Sequence, residues 1–368
     1  MALIYLLLLP ISITILVAIT VSRFLTTSAA SKHRSPPLPP GPKPWPIIGN
    51  LPHLGKQAHI SLQHFSQLYG PLISLRLGSQ LLVVASSPAA AAEILRTHDR
   101  LLSARYVSTG LPYDMMELDR KAIVWASNCS NDQWKAFRAM FRNQIFSTKA
   151  IESQAAARER KAAEMVRFLE GKLGESVSIG QVVFAAIFDS LSNLMLSRDC
   201  IGFESSETAK MMELGTSPNL AEFFPILKKW DPQGLRRETF RCCNELYSVW
   251  QPYVKERRER RRGERYGAQD FLDIFLENGL DDDQIDWLSL VSSQGKKFQS
   301  NFGAGRRMCP GVPLATRQIS LILSAIVRNF DWCLPDGKDP AELDMNEKFG
   351  FTLQKELPLL LVPNRCSL

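Results

Sequence analysis

The spacing of apolar residues predicts a mainly α-helical chain with a small β-sheet, an α+β fold. Two short apolar runs, residues 72–77 and 81–85, flank Gly78 and Ser79 and predict a hairpin. Ser87 followed by Pro88 is typical of a helix cap and a first helical position, and predicts a helix through residue 95. Apolar residues at three-to-four spacing predict further helices over 132–145, 151–172, 181–197, 207–214 and 235–262.

The N-terminal residues 2–22 form an uncharged run rich in Leu, Ile and Val, long enough to cross a bilayer as one helix. No Lys or Arg precedes the run, whereas Arg23, Lys32 and Arg34 follow it, which predicts that the downstream side faces the cytosol. The alternative is a cleaved secretory signal ending at the small residues 28–30. The missing basic start and the length of the run favour a transmembrane anchor over residues 1–22.

Residues 23–45 are predicted to be a linker, because the proline-rich stretch 36–42 favours a stiff, extended spacer. Residues 46–368 are then long enough for one globular domain. The composition, 45% hydrophobic and 22% charged, is that of an ordinary folded protein. Seven scattered cysteines contain no CxxC pair, which indicates a reducing compartment and no disulfide framework.

The net charge of +7 is concentrated in residues 255–262, where glutamates alternate with arginines and lysine. A solvated helix face is the favoured interpretation, and contact with acidic lipid headgroups or an acidic redox partner is the alternative. Nucleic-acid binding is excluded, since no stacking aromatic residues alternate with the basic ones.

A glycine-rich loop from Phe302 to Gly311 carries the candidate chemistry through Cys309. The apolar series that follows predicts a helix starting just after the cysteine, with Pro310 at its beginning, so that the helix N-terminus stabilises the thiolate. The glycines permit positive φ and close approach of a flat cofactor, and Arg307 can reach an anionic group on it. The series consists of Leu314, Ile319, Ile322, Leu323, Ile326 and Phe330.

This loop resembles the cysteine loop of the cytochrome P-450 monooxygenases, Phe-x-x-Gly-x-Arg-x-Cys-x-Gly, at all five fixed positions. The resemblance implies haem b, with Cys309 as axial iron ligand and catalytic residue, Arg307 on a propionate and Phe302 beside the sulfur. Gly305 and Gly311 complete the motif. The alternative is a glycine-rich loop that happens to contain a buried thiol.

Two further segments resemble the same family. Trp134 and Arg138 are four residues apart, hence on one helix face, and resemble the family's Trp-x-x-x-Arg contact with haem, although an amphipathic helix with this pair is commonplace. Residues 218–227 fall where relatives line the substrate entrance, or are simply a loop packed on the core. Residues 219–227 and 230–234 look similar to plant hydroxylases of benzylisoquinoline alkaloids such as N-methylcoclaurine, with terpenoid hydroxylases close behind.

The family's long central helix, with its acid–threonine pair, and the later helix bearing Glu-x-x-Arg cannot be placed in the sequence. Residues 270–287 resemble the lead-in to the long helix, and residues 295–298 already resemble the lead-in to the cysteine loop. The roughly ten residues between them would make a helix of about 15 Å, too short to cross a porphyrin pocket. The sequence therefore predicts an internal deletion near residues 290–295, from exon skipping or an incomplete gene model.

The resemblance implies a single-pass protein of the endoplasmic reticulum membrane that inserts one oxygen atom from O2 into a small apolar plant metabolite, alkaloid or terpenoid. Electrons would come from NADPH through a flavoprotein reductase. The alternative is a membrane-anchored, truncated product without catalytic activity. A cysteine-nucleophile enzyme is disfavoured, because four of the five histidines precede residue 65 and nothing brings His98 to Cys309.

Overall fold

The computed structural model describes residues 36–108, 111, 113, 115–127, 131–199, 220–263, 270–285, 288, 302–348 and 354–366. The predicted anchor at 1–22, the predicted helix at 207–214 and the predicted deletion at 290–295 lie outside the described residues. The described chain is mainly helical with small antiparallel sheets, so the predicted fold class is confirmed at this level.

The helices of the first half are short. Helices α1 to α5 are Leu51–Leu54, Ala58–Tyr69, Pro88–Ala92, Asp99–Leu102 and Met115–Lys121. Helices α6 to α9 are Asp132–Met140, Thr148–Ser153, Ala155–Glu170 and Ile179–Leu196. A five-residue π-helical turn extends α3 (Glu93–Thr97) and another extends α6 (Phe141–Ile145).

The second half contains α10 (Leu220–Phe223), α11 (Leu235–Gly263), α12 (Phe271–Glu277) and α13 (Val312–Asn329). Every helix predicted within the described residues is present, with ends shifted by a few residues. The predicted helix over 151–172 is divided into α7 and α8, because Gln154 leaves the helical conformation between them.

The predicted hairpin is confirmed by strands β1 (Leu72–Leu77) and β2 (Gln80–Ala85), which pair from Leu72 opposite Ala85 to Leu77 opposite Gln80. Alternate residues of β1, namely Ile73, Leu75 and Leu77, are buried against α1 and α2. Gly78 adopts a φ of +58°, which suits a tight hairpin turn.

The predicted cap at Ser87 is also confirmed. Its side chain accepts a hydrogen bond from the backbone N–H of Ala90 at 3.2 Å, and Pro88 occupies the first helical turn. The hydroxyl thereby satisfies one of the N–H groups that a helix start leaves without an intrahelical partner.

The remaining strands form two small sheets. Strands β3 (Val177–Ser178) and β4 (Phe330–Cys333) both pair antiparallel with β7 (Leu360–Arg365), which lies between them. Strands β5 (Glu347–Lys348) and β6 (Gln354–Lys355) form a separate antiparallel pair. The C-terminal strand thus joins the start of α9 to the end of α13.

Helices α8, α9 and α13 pack together and form part of the core. Among the described residues, α9 is the one helix long and apolar enough to cross a membrane, with 56% of that span buried inside the protein. This burial identifies α9 as a core helix. Its side chains Val182 and Ala186 pack beside Met165 of α8 and Ile322 of α13.

The basic run at 255–262 is exposed at five of its eight residues, as a solvated face predicts, but three of its arginines form ion pairs. Arg257 is bonded to Asp270 at 3.0 Å and to Asp273 at 2.9 Å, and Arg261 to Glu277 at 2.6 Å. Burial alone lowers the pKa of Arg257, but the hydrogen bonds to Asp270 and Asp273 outweigh burial and raise it above its ordinary value. Arg258 also forms an ion pair with Asp282. Three arginines of the run therefore connect α11 to the segment that begins with α12.

We predict that Asp270→Asn destabilises the protein by about 3 kcal/mol, because it leaves the half-buried Arg257 without one of its charged partners. The side chain of Asp270 is 1% exposed and also caps α12 through the N–H of Asp273. Urea unfolding of the purified chain in detergent measures the change. Asp282→Asn is the matched control, since that side chain is 68% exposed and its pair should contribute less than about 1 kcal/mol.

Candidate functional site

Cys309 lies in the loop that precedes α13, the position that the sequence predicts. Its backbone N–H donates to the Phe302 carbonyl at 2.9 Å, which closes the loop on itself, and the thiol is half-buried. The helix begins at Val312, so Pro310 lies in the turn before the helix and not at its first position. Pro313 occupies the first helical turn instead.

The glycines of the loop serve different purposes. Gly305 has a φ of +67°, and a Cβ placed on it would lie 1.7 Å from the Leu95 carbonyl oxygen. The backbone of another segment therefore approaches Gly305 closely. That segment is the π-helical turn after α3, whereas the sequence predicts the approach of a flat cofactor. Gly303 also has a positive φ, +71°, with open space around it. Gly311 does not adopt positive φ, since its value is −82°, which corrects that part of the prediction.

An aromatic ring lies beside the cysteine. A Cβ on Gly311 would lie 3.5 Å from Cζ of Phe146 and 3.8 Å from the sulfur of Cys309. Phe146 in turn packs against the rings of Phe141 and Phe271. The sequence assigned the aromatic neighbour of the sulfur to Phe302 and did not identify Phe146, which carries no motif.

Arg307 fastens the cysteine loop to the segment before α6. Its guanidinium donates to the carbonyls of Ser103 at 3.0 Å and Ala126 at 2.7 Å. The neighbouring Arg306 forms an ion pair with Asp99 at 3.3 Å. Together with the Gly305 contact, these bonds hold the loop against residues 95–126.

Two guanidinium groups lie over the ring of Trp134. The Cζ atom of Arg307 is 4.8 Å from the ring centroid of Trp134, and that of Arg138 is 5.6 Å from it. The indole N–H of this buried tryptophan donates to the Ile123 carbonyl at 3.0 Å. The structure therefore brings the predicted Trp134 and Arg138 together on one face of α6, and places both beside the cysteine loop.

The electrostatics of the site are dominated by positive charge. Burial lowers the pKa of Arg138, the negative charge of Cys309 opposes that change, and Arg142 and Arg105 reinforce it. Burial also lowers the pKa of Arg105, whose side chain donates to the Val124 carbonyl at 3.0 Å. Sequence reasoning missed Arg105, because a single arginine in a loop has no distinguishing pattern.

This arrangement fits an anionic, flat cofactor. Neither the half-buried Arg138 nor the exposed Arg105 forms an ion pair with a carboxylate of the described chain. Desolvated guanidinium groups are stabilised by an anionic ligand. The two propionates of haem would supply two negative charges, and the half-buried thiol of Cys309 would be available as a ligand for iron. The residues present therefore suit haem at its propionate and thiolate sides.

Comparison with known proteins agrees with this chemistry. The profile of the family described as cytochrome P-450 matches residues 39–294 and, in a second stretch, residues 287–362. The chain belongs to the cytochrome P-450 family. It is 36% identical over 482 aligned residues to (S)-N-methylcoclaurine 3'-hydroxylase isozyme 1 of Papaver somniferum, covering 95% of the chain and 99% of that relative.

Other relatives of this cytochrome P-450 come from the same group of plant enzymes. Corytuberine synthase of Coptis japonica is 30% identical over 463 residues, covering 89% of the chain and 94% of that relative. Geraniol 8-hydroxylase of Catharanthus roseus is 28% identical over 502 residues, covering 97% and 99% respectively. The chain is accordingly a cytochrome P-450 monooxygenase by homology, related to plant alkaloid and terpenoid hydroxylases, and its family implies haem.

We predict that Gly305→Ala destabilises this cytochrome P-450 by about 3 kcal/mol, because its methyl group would overlap the Leu95 carbonyl oxygen. Gly303→Ala, in the same loop with the same sign of φ, should cost only about 1 kcal/mol, since its nearest neighbour is 4.0 Å away. Thermal unfolding and hydrogen exchange over residues 302–311 measure both. Equal effects of the two substitutions would contradict the assigned packing.

Proposed function

We propose that this chain is built as a haem-thiolate monooxygenase whose Cys309 is the axial iron ligand. The observation that carries the proposal is the convergence of one half-buried thiol with three arginines and a tryptophan from distant segments. Three arginines lie around Trp134 and Cys309, namely Arg105, Arg138 and Arg307. A cysteine loop that served only packing would not need this excess of positive charge.

Each residue has a defined role in the proposed site. Arg138 and Arg307 would hold the propionates of bound haem, and the ring of Trp134 supports both guanidinium groups. The N-terminus of α13 stabilises the negative charge of the Cys309 thiolate, and N–H groups that follow the cysteine are placed to tune it. Gly305 and Gly311 keep the loop close to its neighbours, and Phe302 holds the Cys309 N–H through its carbonyl.

Haem supplies the oxygen chemistry when bound, since a thiolate ligand favours O–O cleavage and allows one oxygen atom to enter a substrate C–H bond. The protein's own contribution is binding and orientation. Its family implies a redox partner and a small substrate, and we assign these to an NADPH-dependent flavoprotein reductase and an apolar plant metabolite. Similarity to N-methylcoclaurine hydroxylases favours a benzylisoquinoline alkaloid over a terpenoid.

We assign residues 1–22 to a single transmembrane anchor, residues 23–45 to a proline-rich hinge, and residues 46–368 to one domain facing the cytosol at the endoplasmic reticulum. The charge-free N-terminal run and the basic residues that follow it support this organisation. The relatives, which are plant enzymes of the same family, support it as well.

An internal deletion near residues 290–295 is the second part of the proposal. The alignment with the Papaver relative extends over 482 residues although the chain has only 368, which supports a long block missing from this chain. The two separate stretches matched by the family profile, which meet at residues 287–294, support the same conclusion.

Surfaces in the described part of the chain are consistent with a missing block. The indole N–H of Trp250 on α11 is buried and has no hydrogen-bond partner among the described residues. Leu323 and Val327 on α13 are 58% and 64% exposed, and Leu81 on β2 is 53% exposed. A block that includes the family's long central helix would cover exposed apolar side chains and supply a hydrogen-bond partner for a buried indole. Its loss favours a second function, a membrane-anchored product without oxygen-activating residues.

We predict that the unaltered chain, if competent, binds one haem and shows the red-shifted Soret band of a thiolate-ligated, reduced carbon monoxide complex. Cys309→Ala should abolish this band. Arg138→Ala should weaken haem binding by about tenfold, since it removes a charge-assisted hydrogen bond. Arg167→Ala, which removes an exposed arginine of α8, is the control and should have little effect. An unchanged band in Cys309→Ala would refute the ligand assignment, and a folded but haem-free chain would favour the inactive product.

Sequencing of reverse-transcribed messenger RNA across codons 285–300 tests the deletion. We expect a transcript in which the codons of the two flanking segments are joined directly. Recovery of a longer transcript alone would show that the short chain is an artefact of the gene model and not a product of the cell.

A further inference from the structure

Residues 123–127, the carbonyl segment, lie between α5 and α6 and accept hydrogen bonds from side chains of the proposed haem site. The guanidinium of Arg307 donates to the Ala126 carbonyl at 2.7 Å. The indole N–H of Trp134 donates to the Ile123 carbonyl at 3.0 Å. One short piece of backbone therefore supports both the arginine and the ring on which that arginine packs.

Arg105 binds to the carbonyl segment as well. Its backbone N–H donates to the Ser127 carbonyl at 3.1 Å, and its guanidinium donates to the Val124 carbonyl at 3.0 Å. Neutral carbonyl acceptors orient a guanidinium without contributing a countercharge. The directions of these carbonyls consequently decide where two of the three arginines near Cys309 lie.

Asp119, in helix α5, holds the carbonyl segment in place. Its carboxylate accepts from the backbone N–H of Ser127 at 2.6 Å, and the Ser127 hydroxyl donates to the same carboxylate at 2.9 Å. The backbone carbonyl of Asp119 accepts from the side-chain amide of Asn131 at 2.8 Å. Asn131 in turn caps α6, where its side-chain oxygen accepts from the N–H of Trp134 at 2.6 Å. Asp119 is thus bonded both to the carbonyl segment and to the residue that begins the tryptophan helix.

A single peptide group connects Asp119 to Arg307. The C=O of Ala126 and the N–H of Ser127 belong to the same planar unit, so a bond at one end fixes the direction of the other. Asp119 accepts from this N–H, and Arg307 donates to this C=O. Both residues of the peptide are buried, and in such surroundings a carboxylate at one end and a cation at the other polarise the peptide and strengthen both bonds.

We infer that Asp119 is a positioning residue that orients the Arg307 guanidinium through the Ala126–Ser127 peptide. The inference rests on the proposed function and deepens it, because it names a residue that sets the propionate contact assigned to Arg307 without touching haem itself. The same bonds hold the cysteine loop, since Arg307 lies two residues before Cys309.

Titration of the haem-free full chain with haem in detergent tests this inference. Asp119→Ala should weaken haem binding by about tenfold, because the peptide loses its charged acceptor. Asp119→Asn should weaken it by about threefold, because the amide oxygen still accepts from the N–H but carries no charge. If Asp119→Ala does not fold, Asp119→Asn is used for every comparison.

A double-mutant cycle distinguishes positioning of Arg307 from a general structural role. Arg307→Lys keeps the positive charge and removes the planar guanidinium. Adding Asp119→Ala to this variant should weaken haem binding by less than about twofold more, since a residue that acts through the guanidinium has little effect without it. An equal loss with and without Arg307→Lys overturns the inference, as does unchanged haem binding in the single variant Asp119→Ala.

Hydrogen exchange of the haem-free chain separates this inference from the proposed function. Asp119→Ala should increase exchange at residues 302–311 as well as in the carbonyl segment. Asp283→Asn is the matched control and should increase neither, because it removes a 67% exposed carboxylate that pairs with Lys121 at the end of α5. Unchanged exchange at 302–311 in Asp119→Ala overturns the inference. If the unaltered chain folds without binding haem, the monooxygenase function fails, and increased exchange at 302–311 still supports the role of Asp119.

Discussion

The packing of the Arg138 and Arg307 guanidinium groups on the Trp134 ring is the contact on which the rest of the site depends. It joins α6 to the cysteine loop, two segments far apart in sequence. Cations packed on an aromatic face are stabilised most where water is excluded, and Trp134 is almost fully buried. The position of Cys309 therefore follows from the position of α6, and α6 follows from the core that buries its apolar face.

The cysteine loop is attached mainly to segments that precede it by about two hundred residues in the chain. Gly305 rests on the turn that contains Leu95, Arg306 pairs with Asp99, and Arg307 bonds to carbonyls between Ser103 and Ala126. None of these contacts involves the region near residues 290–295. These contacts around Cys309 consequently do not depend on the segment in which we propose the deletion.

Charge is distributed for two separate purposes. In the basic run of α11, Arg257 and Arg261 are neutralised by acidic residues of the following segment, so these charges hold helices together. Near Cys309, Arg105 and Arg138 form no ion pair with a carboxylate of the described chain, so their charge is available to a ligand. Sequence composition alone treats the two groups alike, since both are arginines on helices or in loops.

The sequence by itself determined the local elements and supplied the residue that we propose as the iron ligand. Periodicity placed the hairpin, the cap at Ser87 and the helices, because these depend on contacts between near neighbours in the chain. The motif around Cys309 and the pair of Trp134 and Arg138 could likewise be recognised from the spacing of their residues in the sequence. Only the tertiary structure decided that Arg105 and Phe146 join the site and that Gly305 packs on Leu95. Such contacts link segments without any shared periodicity, and only the folded core fixes their distances.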